Sequence, residues 1–182
     1  MKRNIALFAA LICFLFVNSF AQGLPPVPLK NMDGEIVNSG DLEHKGPMIV
    51  SFWATWCKPC KKELNAIAEV YEDWQDETGV KLVAVSIDDP RTSSLVAGVV
   101  NVNDWEYDVF IDENKDLMRA MNVVNVPHTF LIDANGKVVY QHTSYAPGDE
   151  EELYDHLVEL VEEGDSDESG SEEAEDEEGS KE

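Results

Sequence analysis

Three adjoining segments leave this chain few ways to fold. Residues 47–55, PMIVSFWAT, are a continuous apolar run rich in β-formers, which suits a buried strand. After Pro59, apolar side chains recur at Leu64, Ile67, Ala68, Tyr71 and Trp74, the stripe of a helix that packs one face on a sheet, and Gly79 ends it. VKLVAVSID, residues 80–88, is a second buried strand. Strand, helix, strand is a βαβ unit, so the two strands are expected to run parallel with a right-handed crossover.

The remaining segments extend that unit. Residues 22–46 are a lead-in punctuated by Pro and Gly, with short strand pairing expected around Glu35 to Val37, after the Asp33-Gly34 turn signal. Residues 90–104 read as a weakly patterned helix with Gly98 inside. YDVFID, 107–112, reads as a short strand, and NKDLMRAMNV, 114–123, as a helix capped by Asn114. VPHTFLID and KVVYQHT flank Ala134-Asn135-Gly136, a hairpin signal. From Gly148, Leu153, Leu157, Leu160 and Val161 mark a last helix ending at Gly164, and no internal repeat is visible. The order predicts an α/β fold, a mixed central β-sheet flanked by helices on both faces. Cys57 falls where the first strand hands over to the first helix, at the strand's carboxyl end, where ligands meet such sheets.

The two ends differ in kind from the middle. Residues 1–21 carry Lys2 and Arg3, an unbroken apolar run from Ile5 to Val17, and small residues Ser19 and Ala21 before Gln22, the pattern of a secretory signal peptide. The run falls short of the roughly 20 residues that span a bilayer, so no stable membrane insertion is expected after cleavage. Cleavage would remove Cys13 and leave Cys57 and Cys60 outside the cytoplasm, periplasmic or secreted, where disulfides persist. At the other end, residues 162–182 hold twelve acidic residues, one lysine and no large apolar side chain, so residues 164–182 are expected to form a disordered acidic tail. The formal net charge of −24 argues against nucleic acid and anionic membranes as partners.

FWATWCKPCKKEL, residues 52–64, concentrates the chemistry. Only a thiolate attacks a disulfide, and a helix start favours one: unpaired N–H groups and the dipole attract an anion, and Lys58, Lys61 and Lys62 add positive charge. Cys57, at the exposed end, is the expected nucleophile. Cys60, one turn deeper, can attack a mixed disulfide on Cys57 and expel the partner as a thiol. Pro59 suits the first turn, where its missing N–H costs the helix nothing. A zinc site would need two further ligands at matching spacing, and His44, His128, His142 and His156 show no such arrangement, so neither metal nor cofactor is expected. Inert buried thiols are the bland reading; they lack such an electropositive setting.

VSFWATWCKPCKKEL, then VKLVAVSIDD and VNVPHTFLIDANGKVV, together resemble the thioredoxin-like proteins of the TlpA/ResA/CcmG group, exported thiol–disulfide oxidoreductases. The resemblance covers about residues 24–161 and implies a thioredoxin fold over residues 47–163. It implies a redox disulfide between Cys57 and Cys60, Trp56 flanking them, and Pro127, after Val126, as a cis-proline facing them. Glu63 matches an acidic residue that ResA-like proteins carry near the cysteines, where it would tune proton transfer; a solvated surface position is the other reading. Two positions depart from the pattern. Ser51 stands where many thioredoxins bury an Asp, and His128 follows the proline where Thr is common. A solvent-facing His128 at a strand end is the plainer expectation, a histidine facing Cys57 the functional one.

The function expected is disulfide exchange with protein substrates through the Cys-Lys-Pro-Cys pair, with an upstream redox donor or acceptor as second partner. The resemblance points to a reductant, whereas a stabilised Cys57 thiolate pushes toward an oxidant. A thioredoxin-fold thiol peroxidase and a redox-regulated binding module are the competing readings.

Overall fold

The structure, a computed structural model, describes residues 23–42 and 45–178. The expected signal peptide and His44 lie outside the described residues. Among those residues, no helix is long and apolar enough to cross a membrane.

The βαβ unit forms as its sequence dictates. Strand β3 (Met48–Trp53) is followed by helix α1 (Lys58–Thr78) and strand β4 (Lys81–Ser86), and β3 pairs in parallel with β4 from Met48↔Lys81 to Trp53↔Ser86. All six residues of β3 are buried, which is why the run is apolar without alternation. Helix α1 turns Leu64, Ile67, Tyr71 and Trp74 inward, and Gly79 closes it in the left-handed region (φ 66°), where a side chain would be strained.

Among the described residues the sheet has seven strands, in the order β2 (Ile36–Asn38), β1 (Pro28–Lys30), β5 (Asp108–Ile111), β4, β3, β6 (His128–Ile132) and β7 (Val138–Thr143). The lead-in supplies β1 (Pro28–Lys30) and β2 (Ile36–Asn38), an antiparallel pair turning through Gly34, and β1 docks on β5 (Asp108–Ile111) at Lys30↔Ile111. The lead-in therefore extends the sheet of the main domain. Strands β6 (His128–Ile132) and β7 (Val138–Thr143) form the expected hairpin, and β6 runs antiparallel to β3. The result is a mixed-sheet thioredoxin fold.

Three local expectations differ from what forms. Residues 90–104 contain a 3-10 turn, Ser93–Leu95, and then α2 (Val96–Asn103). Helix α3 (Asp116–Ala120) is not capped by Asn114; Lys115 occupies the cap position at φ 59°, and the buried Asp112 carboxylate accepts the N–H groups of Asp116 and Met118 at 2.7 and 2.9 Å. Burial holds that carboxyl above the usual carboxylate range despite those bonds.

Helix α4 (Asp149–Glu178) continues past Gly164, where the last helix was expected to end, and residues 179–182 of the expected acidic tail lie outside the described residues. Glutamate is a good helix former, proline is absent, and an interior glycine costs only about 1 kcal/mol against alanine. A helix anchored upstream also avoids the cost of a new nucleus. The anchor is Leu153 and Leu157, fully buried, with Tyr154 stacked on Trp74 of α1 at 5.1 Å.

Ile67 is fully buried between α1 and the sheet. Ile67→Ala is expected to lower the stability by ~2–5 kcal/mol, whereas Glu72→Ala on the exposed face should change it by less than about 0.5 kcal/mol; urea unfolding followed by tryptophan fluorescence measures both.

Candidate active site

The segment between β3 and α1 is held from three sides. Asp88, fully buried just beyond β4, accepts the Thr55 N–H at 2.8 Å and the Thr55 hydroxyl at 2.6 Å, and also the Ser86 hydroxyl at 2.8 Å. Lys61 Nζ donates to the Thr55 carbonyl at 2.9 Å, and the Cys57 N–H donates to the Ala54 carbonyl at 3.0 Å. The chain thus reaches Cys57 along a fixed path.

Cys57 is the N-cap of α1, with extended φ and ψ of −84° and 104°, and its Sγ accepts the Cys60 N–H at 3.2 Å. The two cysteines are joined as a disulfide with Cα atoms 5.4 Å apart, inside the usual bridging range. Cys57 is 5% exposed and Cys60 not at all, so any partner's approach is to Cys57. Pro59 lies in the first turn of α1, where a missing N–H leaves no helix bond unmade. Trp56 is 61% exposed beside the pair, and Lys58 and Lys62 are exposed while Lys61 is committed to Thr55.

Glu63 is not a solvated surface residue. It is 1% exposed, one turn beyond Cys60, and its Oε1 lies 2.6 Å from the Thr129 hydroxyl and 2.9 Å from His142 Nε2. The Thr129 hydroxyl is also 2.9 Å from Ser51 Oγ; its single proton goes to the carboxylate, so Ser51 donates to Thr129. Ser51, Thr129, Glu63 and His142 thus form one buried polar chain linking β3, β6, α1 and β7. Glu63 Oε2 has no hydrogen-bond partner among the described residues.

The Val126-Pro127 peptide is cis. Pro127 is buried and Val126 half-buried, and because His128 pairs with Phe52, the proline sits beside the end of β3 from which the cysteine segment leaves. His128 does not face solvent: it is 8% exposed, stacked on Phe130 at 4.2 Å, with Nε2 3.0 Å from Gln141 Oε1. It pairs with Phe52 and so lies on the opposite sheet face from Thr129 and Glu63.

The sequence reading missed Asp88, Thr129 and His142. Asp88 was discoverable as the first acid after β4, since parallel neighbours β3 and β4 end side by side. His142 was not, because an irregularity between Leu131 and Ile132 shifts the register by one residue and pairs Thr129 with His142. Among the described residues no three His, Cys, Asp or Glu side chains converge as a metal site.

Comparison with known proteins agrees with this geometry. Residues 21–141 match the model of the AhpC/TSA family. The chain is 32% identical over 158 residues to a thiol-disulfide oxidoreductase ResA of Bacillus thuringiensis, an alignment spanning 78% of this chain and 89% of that one. Among solved structures it is similar to an uncharacterized thioredoxin-like protein from Porphyromonas gingivalis, with 53% identity, a TM-score of 0.71, and coverage of 81% and 96% of the two chains. It is also similar to a putative thiol:disulfide interchange protein DsbE from Chlorobium tepidum, with 27% identity, a TM-score of 0.64, and coverage of 77% and 96%. A cysteine pair at the start of a helix, on a thioredoxin fold with these relatives, makes the chain a member of the AhpC/TSA family and a thiol–disulfide oxidoreductase of the ResA/DsbE type.

Proposed function

We propose that the protein is exported and works outside the cytoplasm as a reductant of protein disulfides, recharged by an upstream dithiol donor. The observation that carries the exchange chemistry is Cys57 as helix N-cap, its sulfur already accepting the Cys60 N–H. In the reduced protein the same N–H would stabilise the Cys57 thiolate at the positive end of α1. That thiolate attacks one sulfur of the substrate disulfide, and the other leaves as a thiolate and takes up a proton. Cys60 then loses its thiol proton and attacks Cys57; the intramolecular disulfide forms as the mixed one breaks, and two electrons have passed to the substrate.

Glu63 is the proposed acceptor of the Cys60 proton. The carboxylate is buried one turn from Cys60 with Oε2 unpartnered, and Ser51, the alternative position, offers only a hydroxyl already committed to Thr129. Trp56, next to Cys57 in sequence, and Val126 and Pro127, which lead into β6 beside the end of β3, form the proposed seat for a substrate's extended segment. The export reading is supported by the first twenty-one residues, and the reductant reading by the ResA resemblance alone.

The peroxidase alternative would draw on a Pro- and Thr-bearing loop before the helix. Only Thr55 precedes Cys57 here, and its hydroxyl is bound by the buried Asp88 carboxylate, which supports disulfide exchange instead.

With dithiothreitol as donor, the unmodified protein is expected to accelerate insulin reduction, Cys57→Ser to fall to the uncatalysed rate, and Cys60→Ser to accumulate a mixed disulfide; equal rates in all three would overturn the proposal. Deleting residues 165–182 is expected to leave the insulin rate unchanged, because those residues lie beyond the buried anchor of α4. Export predicts that the protein recovered from the extracytoplasmic fraction begins at Gln22, as read by N-terminal sequencing.

A further inference from the structure

His142 has no place in the exchange steps above, yet its ring is the charged network's only nitrogen-bearing member. Its Nε2 lies 2.9 Å from Glu63 Oε1, its side chain is 14% exposed, and its Nδ1 is buried with no hydrogen-bond partner among the described residues. Nε2 faces a carboxylate and Nδ1 faces no acceptor, so the ring hydrogen belongs on Nε2 and points at Glu63. Together with the Thr129 hydroxyl at 2.6 Å, it saturates Oε1 and leaves Oε2 as the one uncommitted oxygen.

We propose that His142 is a positioning residue for proton transfer: its Nε2–H holds Glu63 ionised and oriented, so that Oε2 can take the Cys60 thiol proton when the mixed disulfide is resolved. This rests on the exchange reading above, with Glu63 as the proton partner of Cys60. The proton balance closes over a cycle. Cys60 gives its proton to Glu63 as it attacks Cys57, Glu63 passes it to solvent once the disulfide has closed, and when the donor reduces the disulfide Cys60 leaves as a thiolate and takes up a proton, so that Glu63 is a carboxylate again in the oxidised protein.

The other groups around Glu63 do not compete for that proton. From β6 it meets the Thr129 hydroxyl, to which the Ser51 hydroxyl of β3 is bonded in turn, and on its own helix Cys60 lies three residues before it. Its charge also reaches the phenols of Tyr107, Tyr140 and Tyr145. Burial, followed among the causes by Glu63 itself, pushes Tyr107 far above the usual phenol range; burial also raises Tyr140 and Tyr145, with Glu63 a smaller contributor. All three therefore keep their protons at working pH. Lys61, the nearest basic residue in the first turn, is turned to the Thr55 carbonyl. Beside the neutral Thr129 hydroxyl, His142 is the ring N–H donor on Glu63.

A hydrogen bond to the ionised form favours it, so removing the donor should raise the pH at which Glu63 loses its proton. In the reduced protein labelled with 13C at the glutamate carboxyl, and with the Glu63 signal assigned by its loss in Glu63→Gln, His142→Phe is expected to move the Glu63 midpoint upward by about one pH unit, the size expected for losing one bond to a charged group. His142→Gln, which keeps an N–H donor, should bring it back toward the unmodified value. The rate at which Cys60 releases 5-thio-2-nitrobenzoate from a mixed disulfide on Cys57 should show its rising pH limb displaced in the same sense in His142→Phe and restored in His142→Gln. A Glu63 midpoint and limb unmoved by His142→Phe overturn the inference. If Glu63→Gln abolishes the limb while His142→Phe leaves it, Glu63 stands as the proton acceptor and His142 does not act on it; if Glu63→Gln leaves the limb in place, the Glu63 reading falls and this one with it. Should His142→Phe fail to fold, the 15N shifts of the His142 ring in the unmodified protein decide: an Nε2–H tautomer whose shifts follow the Glu63 titration is expected, and an Nδ1–H tautomer overturns the inference.

Discussion

Burial of β3 on both faces is the constraint from which the site follows. A strand with no exposed residue can be hydrogen-bonded only by strands on either side, and here β4 takes one edge and β6 the other. Fixing both edges fixes where the strand ends, and three features converge on that end: the segment leading to Cys57, the carboxylate of Asp88 at the end of β4, and the cis peptide before β6. Each belongs to a different part of the chain. None could be placed relative to the others without the six-residue ladder between them.

The electrostatics at the head of α1 come from the backbone more than from the lysines. The sequence suggests three cations helping Cys57, but Lys61 is turned away to the Thr55 carbonyl, and Lys58 and Lys62 stand in water, where salt screens their charge. What touches the sulfur is the Cys60 N–H at 3.2 Å. Cys57 thus does as N-cap what a serine or aspartate does elsewhere, and in the proposed exchange the same geometry would stabilise the thiolate. Lys61 contributes by rigidity, tying the first turn of α1 back to the segment that precedes it.

Much of this was legible in the sequence because it is local. The apolar run of β3, the stripe of α1 from Leu64 to Trp74, the Gly79 stop and the cysteine spacing each report on a few neighbouring residues, and all four stand where expected. What was not legible depends on distant register. Counting back from the Ile132↔Val138 pair without interruption would set Gln141 opposite Thr129, and the irregularity after Leu131 sets His142 there instead. A slip of one residue exchanges the faces of a strand, so the partner of Glu63 was decided by a bulge that no residue type announces. The burial of Glu63 was hidden for the same reason: on α1 alone it looks like any charged residue three past a cysteine.

Ser51 shows how the network divides its labour. The resemblance to thioredoxins places a buried aspartate at this point of the strand, reaching the second cysteine from the sheet. Here the buried carboxylate near that point comes from the helix, as Glu63, the proposed proton acceptor, and the strand position carries a hydroxyl that joins the same network through Thr129. The two solutions exclude each other. An acid at residue 51 would face Glu63 across a single hydroxyl in a space closed to water, and two carboxylates so placed cannot both stay ionised. A serine satisfies the buried Thr129 hydroxyl without adding charge, which leaves Glu63 as the one acid in that hydrogen-bonded network and gives the histidine opposite it a single oxygen to hold.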